Sequence, residues 1–522
     1  MEETKKITLG NTNEIIRDRI NQAKYSDGIL YLNDITVTSE QLIAFAPTIK
    51  GIKNIKLSLS VTNKTLIPDN IAGLITTLSL SGKSNVLDLS IFSDCVNINH
   101  LIIKSDLNIR DLHNISSFEN LISLDIGNGY MLKDLYGLES CSLLESLRLI
   151  GCNNLEDYSP LLRCDNLKSF EIQHANIKDL DFLINARKLE NIAVINCYSL
   201  ITLSGLENCV MLKSAIFSDL DNLDDISSLS NCVNIEELFI HNCSSLKDIF
   251  GISSIIELEH LQISKCNLVY NLIPIGSCSK LTKLDMHSCD SIADVSFLSK
   301  CRTLETISFM NCRNLDNING IENCKLLKRL ILSNCNILDL SPLSECISLK
   351  ILNYTKNDVL QNLDTLNCPR LEELYLDNSS RLESLSGLER SPLLRGLSVS
   401  QCEKLTNIRA LSNAINLNSL YINGCTLLTS LDGIQNCIAL QDLFSNGCIR
   451  LKNLNELSSC SSLRRLDVNR CISLLDISVL SECRELVYLD ISYCRLITDI
   501  RFLRNNKKLR KLNAEWCGTL LR

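Results

Sequence analysis

Proline, tryptophan and long apolar runs are all scarce in this chain, and each scarcity removes a class of protein. Seven prolines, one tryptophan and 5% aromatics among 522 residues leave an aliphatic composition, unlike that of a proline-rich linker. No apolar run approaches the roughly 18 residues that a membrane-spanning helix requires. The N-terminus, MEETKKITLGNTNEIIRDR, is polar and has no apolar h-region, so no secretory signal is expected. Charge of one sign is missing too. Lys and Arg total 52 against 60 Asp and Glu, a formal net of −8, so nucleic acid is not the default partner. These absences set the expectation of a cytoplasmic, alternatively nuclear, protein with no membrane association.

Catalytic motifs are equally absent. G-x-x-x-x-G-K-[ST], G-x-S-x-G and H-E-x-x-H do not occur. The 26 cysteines never fall into the C-x₂₋₄-C spacing that structural zinc demands. The expectation is therefore no enzyme, no cofactor and no metal.

What the chain has instead is a repeat. With Cys483 as offset 0, apolar residues follow at offsets 3, 6 and 8 (Leu486, Leu489, Ile491), and Cys494 stands at 11. Ile497, Ile500 and Leu503 occupy offsets 14, 17 and 20, and the next unit opens at Asn506. Stepping back by 23 residues recovers the frame through Cys460, Cys301, Cys232 and Cys141 to Ala72 and Ile49; three steps, into Ala186, Cys346 and Cys368, are of 22. Every cysteine lies in one of two slots, thirteen at offset 0 and thirteen at offset 11. Substitutes at offset 0 (Phe118, Ala186, Ile255, Ser391, Ala414, Asn506) are mostly small or apolar, so the slot asks for a compact buried group. In the pattern L-x-x-L-x-L the last two apolar residues are two apart and point the same way from an extended segment. One unit cannot bury that face alone; stacked units can, with their strands in one parallel sheet. The offset-11 residue stands where the chain turns inward and meets backbone groups that the turn leaves unpaired. An Asp before offset 17 (Asp134, Asp157, Asp248, Asp294, Asp476, Asp499) is placed to cap a short 3₁₀ turn.

The string L-x-x-L-x-L-x-x-C-x-x-L-x-D-[IL]-x-x-L-x-x-C resembles the cysteine-containing units of leucine-rich repeat proteins. CRLITDIRFL is similar to the 23-residue repeats of trypanosomatid leucine-rich repeat proteins, and CNILDLSPLSEC and HANIKDLDFLINA to internalin-type repeats of 22. The resemblance covers roughly residues 49–517. It implies an α/β solenoid, a horseshoe with a parallel β-sheet on the concave face and short 3₁₀ or turn segments on the convex face. Residues 1–48 leave the frame and read as an N-terminal capping segment, followed by a solenoid of about 20 repeats over residues 49–522. Within the cap, NEIIRDRINQAK predicts a helix, GILYL a strand, and ITVTSEQLIAFA a second helix in which Thr38 and Gln41 have capping-box spacing. Equivalent cysteines of adjacent coils would stand about 4.8 Å apart. Parallel side chains keep their Cβ atoms beyond the ~3.8 Å a disulfide prefers, so buried reduced thiols are expected.

In such a solenoid the strand positions that face away from the core, offsets 5, 7, 9 and 10, are free to carry function. Offset 7 holds two apolar or aromatic stretches, Ala193–Ile216–Phe239 and Tyr375, Tyr421, Phe444. The candidate partner-binding residues are Ile216, Phe239, His241, Tyr375, Tyr421 and Phe444, because exposed aromatics clustered on a sheet serve as hot spots. His241, His260 and His287 map to the same face without metal-ligand geometry. The reading is a non-enzymatic scaffold that grips a protein or peptide on the concave face. Alternatives are a substrate-recognition adaptor of a ubiquitin ligase and a ribonuclease-inhibitor-like binding protein. The basic stretch 501–511 is the one exception to the exclusion of nucleic acid.

Overall fold

The computed structural model describes residues 9–62, 64–82, 87–104 and 107–518. The chain divides after Leu258 into two compact units. The described residues form 22 strands, and the pairings within each unit are parallel.

The coil opening at Cys301 shows why each unit folds as it does. Leu304, Ile307, Phe309, Cys312, Leu315 and Ile321 are all 0% exposed, so offsets 3, 6, 8, 11, 14 and 20 point into one core. Burial of each such side chain contributes about 1.5–3 kcal/mol, available only because flanking coils supply the other wall. The strand Thr306–Met310 runs in register with Lys283–His287 and with Arg329–Ile331. On the opposite side of each coil lie 3₁₀ turns such as Ser296–Lys300. The predicted aspartates cap them from one position further out than a standard cap: Asp294 accepts the Ser296 N–H at 2.8 Å and Asp476 the Ser478 N–H at 2.8 Å.

Both cysteine slots are buried, and both donate hydrogen bonds. Offset-11 thiols reach the offset-8 carbonyl of the preceding coil: Cys335 Sγ to Phe309 O at 2.9 Å, Cys448 to Ile422 O at 3.1 Å, Cys494 to Val468 O at 3.1 Å. At offset 0, Cys232 Sγ reaches Leu206 O at 3.4 Å. Two substitutes in that slot keep the donor: Ser391 Oγ bonds Cys368 O at 3.0 Å, and Asn506 Nδ2 bonds Leu480 O and Cys483 O at 2.8 Å each. The other four substitutes, Phe118, Ala186, Ile255 and Ala414, have no donor and keep only the burial, so burial is the slot's constant requirement.

Between strand and cysteine stands a feature of backbone rather than composition. Offset 10 adopts the left-handed conformation in consecutive coils, with φ of 60° at Asn311, 59° at Asn334, 60° at Asn378, 71° at Gly424 and 74° at Gly447. That twist aims each N–H at the next coil: Asn311 N–H donates to Ser333 O at 2.8 Å, and Gly447 N–H to Asn469 O at 2.7 Å. Asparagine and glycine tolerate it best. Further asparagines brace the flanks, Asn314 Nδ2 to Asp290 O and Asn234 Nδ2 to Val210 O, both at 2.7 Å.

At the N-terminal end, helices Leu9–Lys24 and Ser39–Phe45 flank the strand Ile29–Thr38, which pairs parallel with Asn54–Ser60. The capping box is present: Gln41 N–H donates to Thr38 Oγ1 at 3.3 Å and Thr38 N–H to Gln41 Oε1 at 2.9 Å. The predicted second helix begins at Ser39, because ITVT prolongs the strand.

Burial pushes the thiols of Cys312, Cys335 and Cys448 up to about 12. Iodoacetamide at neutral to mildly alkaline pH should therefore label the half-buried Cys517 first and the remaining cysteines only after denaturation, as mass spectrometry of the labelled peptides would show. Asn334→Val should cost about 1–2 kcal/mol, read from the urea midpoint, because a β-branched side chain disfavours the left-handed region. Asn334→Gly should cost less.

Candidate functional site

The open face of the sheet is built by the alternation of each strand. In Glu237–His241, Leu238 and Ile240 are buried while Glu237, Phe239 and His241 face away from the core. In the first unit, register sets Ile216 directly beside Phe239 and Ala193 beside Ile216. Ile216 is 37% exposed, and His241 shares the face two residues along from Phe239. These predicted residues form one continuous apolar stretch. Nearby on the same face, Arg148 lies between Asp125 at 3.3 Å and Glu171 at 3.0 Å, so its charge is already matched.

The second unit carries the aromatic cluster. Tyr421 and Phe444 occupy matching positions on adjacent strands, and their rings stack with centroids 5.0 Å apart and planes 5° apart. The Arg465 guanidinium lies 5.7 Å from the Phe444 centroid, held by two hydrogen bonds of 2.6 Å to Asp442. Tyr375 is separated from Tyr421 by the strand Gly396–Ser398, and its hydroxyl donates to Glu373 Oε2 at 2.8 Å. Burial, helped by Glu373, pushes the Tyr375 phenol up to about 12, so it stays protonated as a donor. The gap between the two tyrosines is a recess of about 560 Å³, lined by Glu373, Tyr375, Gly396, Asn418 and Tyr421 among others.

The histidines sit on the same face with polar partners of their own. His260 Nε2 lies 3.2 Å from Asp285 Oδ2, which Lys283 also reaches at 2.9 Å. His287 Nε2 is 2.9 Å from Ser308 Oγ. Among the described residues no group of three His, Cys, Asp or Glu side chains is arranged to hold a metal ion. No described helix is long and apolar enough to cross a membrane. In the basic stretch 501–511, Arg501 is paired with Asp499 at 2.7 Å and Lys508 with Glu485 at 2.6 Å. Lys511 Nζ lies 5.2 Å from the Tyr488 ring centroid. Arg501, Lys508 and Lys511 thus each have a partner within the chain, at an exposed surface.

Sequence reasoning passed over the recess, whose lining includes Gly396, a strand position with no side chain. Glycine at offset 5 was the available signal. It also passed over Arg465, whose position against Phe444 depends on cross-strand register.

A family model for BspA-type leucine-rich repeat regions matches in six copies, across residues 72–182, 172–270, 210–339, 279–386 and 397–518. The chain belongs to this family. Leucine-rich repeat proteins generally act in protein–protein interaction. No curated protein sequence matches the chain. Among solved structures it is similar to TLR13 in its complex with ssRNA13, at 16% identity and a TM-score of 0.60, covering 92% of this chain and 78% of that one. It is also similar to a leucine-rich repeat protein of Leptospira interrogans, at 14% identity and a TM-score of 0.50, covering 82% and 98%. An internalin of Listeria monocytogenes matches at 21% identity, covering 76% and 87%, with a TM-score of 0.39. At these identities the likenesses to TLR13 and to the Leptospira protein establish the solenoid fold alone.

Burial lowers the His287 imidazole from its ordinary 6.5, against a smaller opposing pull from Asp285. An unfolded chain then binds a proton that the folded chain refuses, so stability is full above 6.5 and declines as pH falls below it toward the folded value. His287→Gln should flatten the loss of stability as pH falls below about 6.5, and an NMR titration should place the His287 midpoint below that of an exposed histidine.

Proposed function

We propose that this BspA-type leucine-rich repeat protein is a non-enzymatic scaffold that binds a protein or peptide on the open face of its sheet. The observation that carries this reading is the Tyr421–Phe444 stack with Tyr375 two strands from Tyr421, a set of aromatic side chains presented by strands rather than by loops. Aromatic anchors of this kind dominate binding energy in interfaces, and a parallel sheet holds them at fixed spacing. The fold itself does not require them: matching positions on other coils carry Ser308, Asn353 and Asp467. The apolar run Ala193, Ile216 and Phe239 of the first unit offers a second contact area of the same kind.

Selection of a displayed random-peptide library on the immobilised protein tests this reading. Selected peptides should bind wild type and lose about tenfold or more in affinity for the Tyr375→Ala, Tyr421→Ala, Phe444→Ala triple variant, whose buried core is untouched. Undiminished binding by that variant would remove this cluster as the site.

A further inference from the structure

We infer that the open face of the second unit takes a basic peptide segment, with a lysine or arginine of that segment set against Asp467 and Asp490; this rests on the open-face reading above and names the class of peptide. The first observation is the charge of the face. On the strands from Glu373–Tyr375 to Tyr488–Asp490, and at the offset-9 residues that follow them, stand Glu373, Asp377, Asp442, Asp467 and Asp490 against a single cation, Arg465. Arg465 is committed to Asp442 through two hydrogen bonds of 2.6 Å. The nearby Lys511 and Arg470 lie over the rings of Tyr488 and Tyr493, 5.2 and 5.5 Å from their centroids. A face with this excess of carboxylates attracts a cationic partner and repels the phosphates of nucleic acid.

The second observation is a pair of like charges that the fold does not need. Register sets Asp467 directly beside Asp490 on the adjacent strand. Like charges placed in this way destabilise a sheet. Their hydrogen-bond partners are neutral. Asp467 accepts from Asn469 N–H at 2.9 Å, and Asp490 from the Ser492 N–H and hydroxyl, Asn513 Nδ2 and the Tyr488 hydroxyl. At Asp490 burial is outweighed by the bonds from Ser492 and Asn513, which hold its carboxyl below the ordinary range. Asp467 is less relieved: burial pushes its carboxyl up, the Asn469 bond opposes this, and the charge of Asp490 adds to the rise.

An uncharged residue would serve the coil as well. At the same offset Asn353 accepts the Thr355 N–H at 3.3 Å, just as Asp467 accepts that of Asn469. Ser308 stands there in another coil, buried and neutral. A carboxylate kept where asparagine makes the same bond, beside a second carboxylate, serves something outside the fold. A cation brought by a partner relieves both charges.

The face already accommodates one cation in this manner. The Arg465 guanidinium rests against the Phe444 ring and pairs with the Asp442 carboxylate, so aromatic and acidic groups act on it together. A segment that alternates basic and apolar residues meets the carboxylates and the aromatic cluster at once.

A fluorescently labelled peptide of alternating arginine and leucine, titrated against the full chain by anisotropy at about 0.15 M salt, tests the inference. Saturable binding at roughly micromolar to submillimolar Kd is expected, about tenfold weaker for Asp467→Asn and lost for Asp467→Lys. The melting curve of Asp467→Asn should be unchanged or raised, because asparagine keeps the turn bond and removes the like charge. Failure to saturate by about 1 mM overturns the inference. So does equal binding of a glutamate–leucine peptide, or equal weakening by Glu403→Gln, which removes the same charge from an exposed position outside the strands. If library-selected peptides need the aromatics while the arginine–leucine peptide binds Asp467→Asn as well as wild type, the charge assignment alone falls. If neither kind of peptide binds, both readings fall.

Discussion

Every coil of this protein depends on its neighbours to bury the residues at offsets 6 and 8. A 23-residue unit such as the one opening at Cys301 has one strand and one turn, with no second layer of its own. Its leucines reach 0% exposure only because the preceding and following coils wall them in. Parallel register then follows, because a one-residue slip would turn Ile307 and Phe309 outward and Thr306, Ser308 and Met310 inward. The open face is a by-product of the same alternation. Half of each strand is obliged to look away from the core, and those positions carry no folding duty.

Polar satisfaction is the second condition. Closing a coil in so few residues forces sharp turns, and turns strand backbone groups. The chain answers with donors of graded strength: left-handed N–H groups at offset 10, thiols at offsets 0 and 11, and asparagine amides on the flanks. The buried amide of Asn357 shows what a departure from cysteine looks like. It donates to Cys335 O at 3.1 Å and accepts from Leu360 N at 2.8 Å, so one side chain serves both sides of the turn in a coil one residue shorter. Tyr354 in the same coil reaches Ile337 O with its buried hydroxyl. Thiols are weak donors, and their repeated use makes sense where space is the tighter constraint.

On the open face several charges are matched in place. Arg148 is flanked by two carboxylates, Asp285 by His260 and Lys283, and Asp442 by Arg465. Partially exposed pairs of this kind add little stability. Beside Phe444 the face also carries Asp467 and Asp490 on matching positions of adjacent strands, so the aromatic cluster is bordered by acidic side chains.

The apolar period, the two cysteine slots, the capping aspartates and the Thr38–Gln41 box were legible in the sequence because each is a local rule repeated or confined to a few residues. The spacing also placed Tyr421 and Phe444 on one face, since strand alternation is local. Tertiary structure alone decided what lies beside what across strands. The stacking of Tyr421 on Phe444, the guanidinium of Arg465 over Phe444, and the recess lined by Tyr375, Gly396 and Tyr421 join residues more than 20 positions apart, and their geometry comes from strand register. The left-handed turn at offset 10 lies between these cases. Its asparagines and glycines were in plain view, but residues as different as His174, Gln401 and Arg470 adopt the same φ because the hydrogen bond to the next coil demands it. Local chemistry determined the coil; the distance between neighbouring strands decided which side chains could act together.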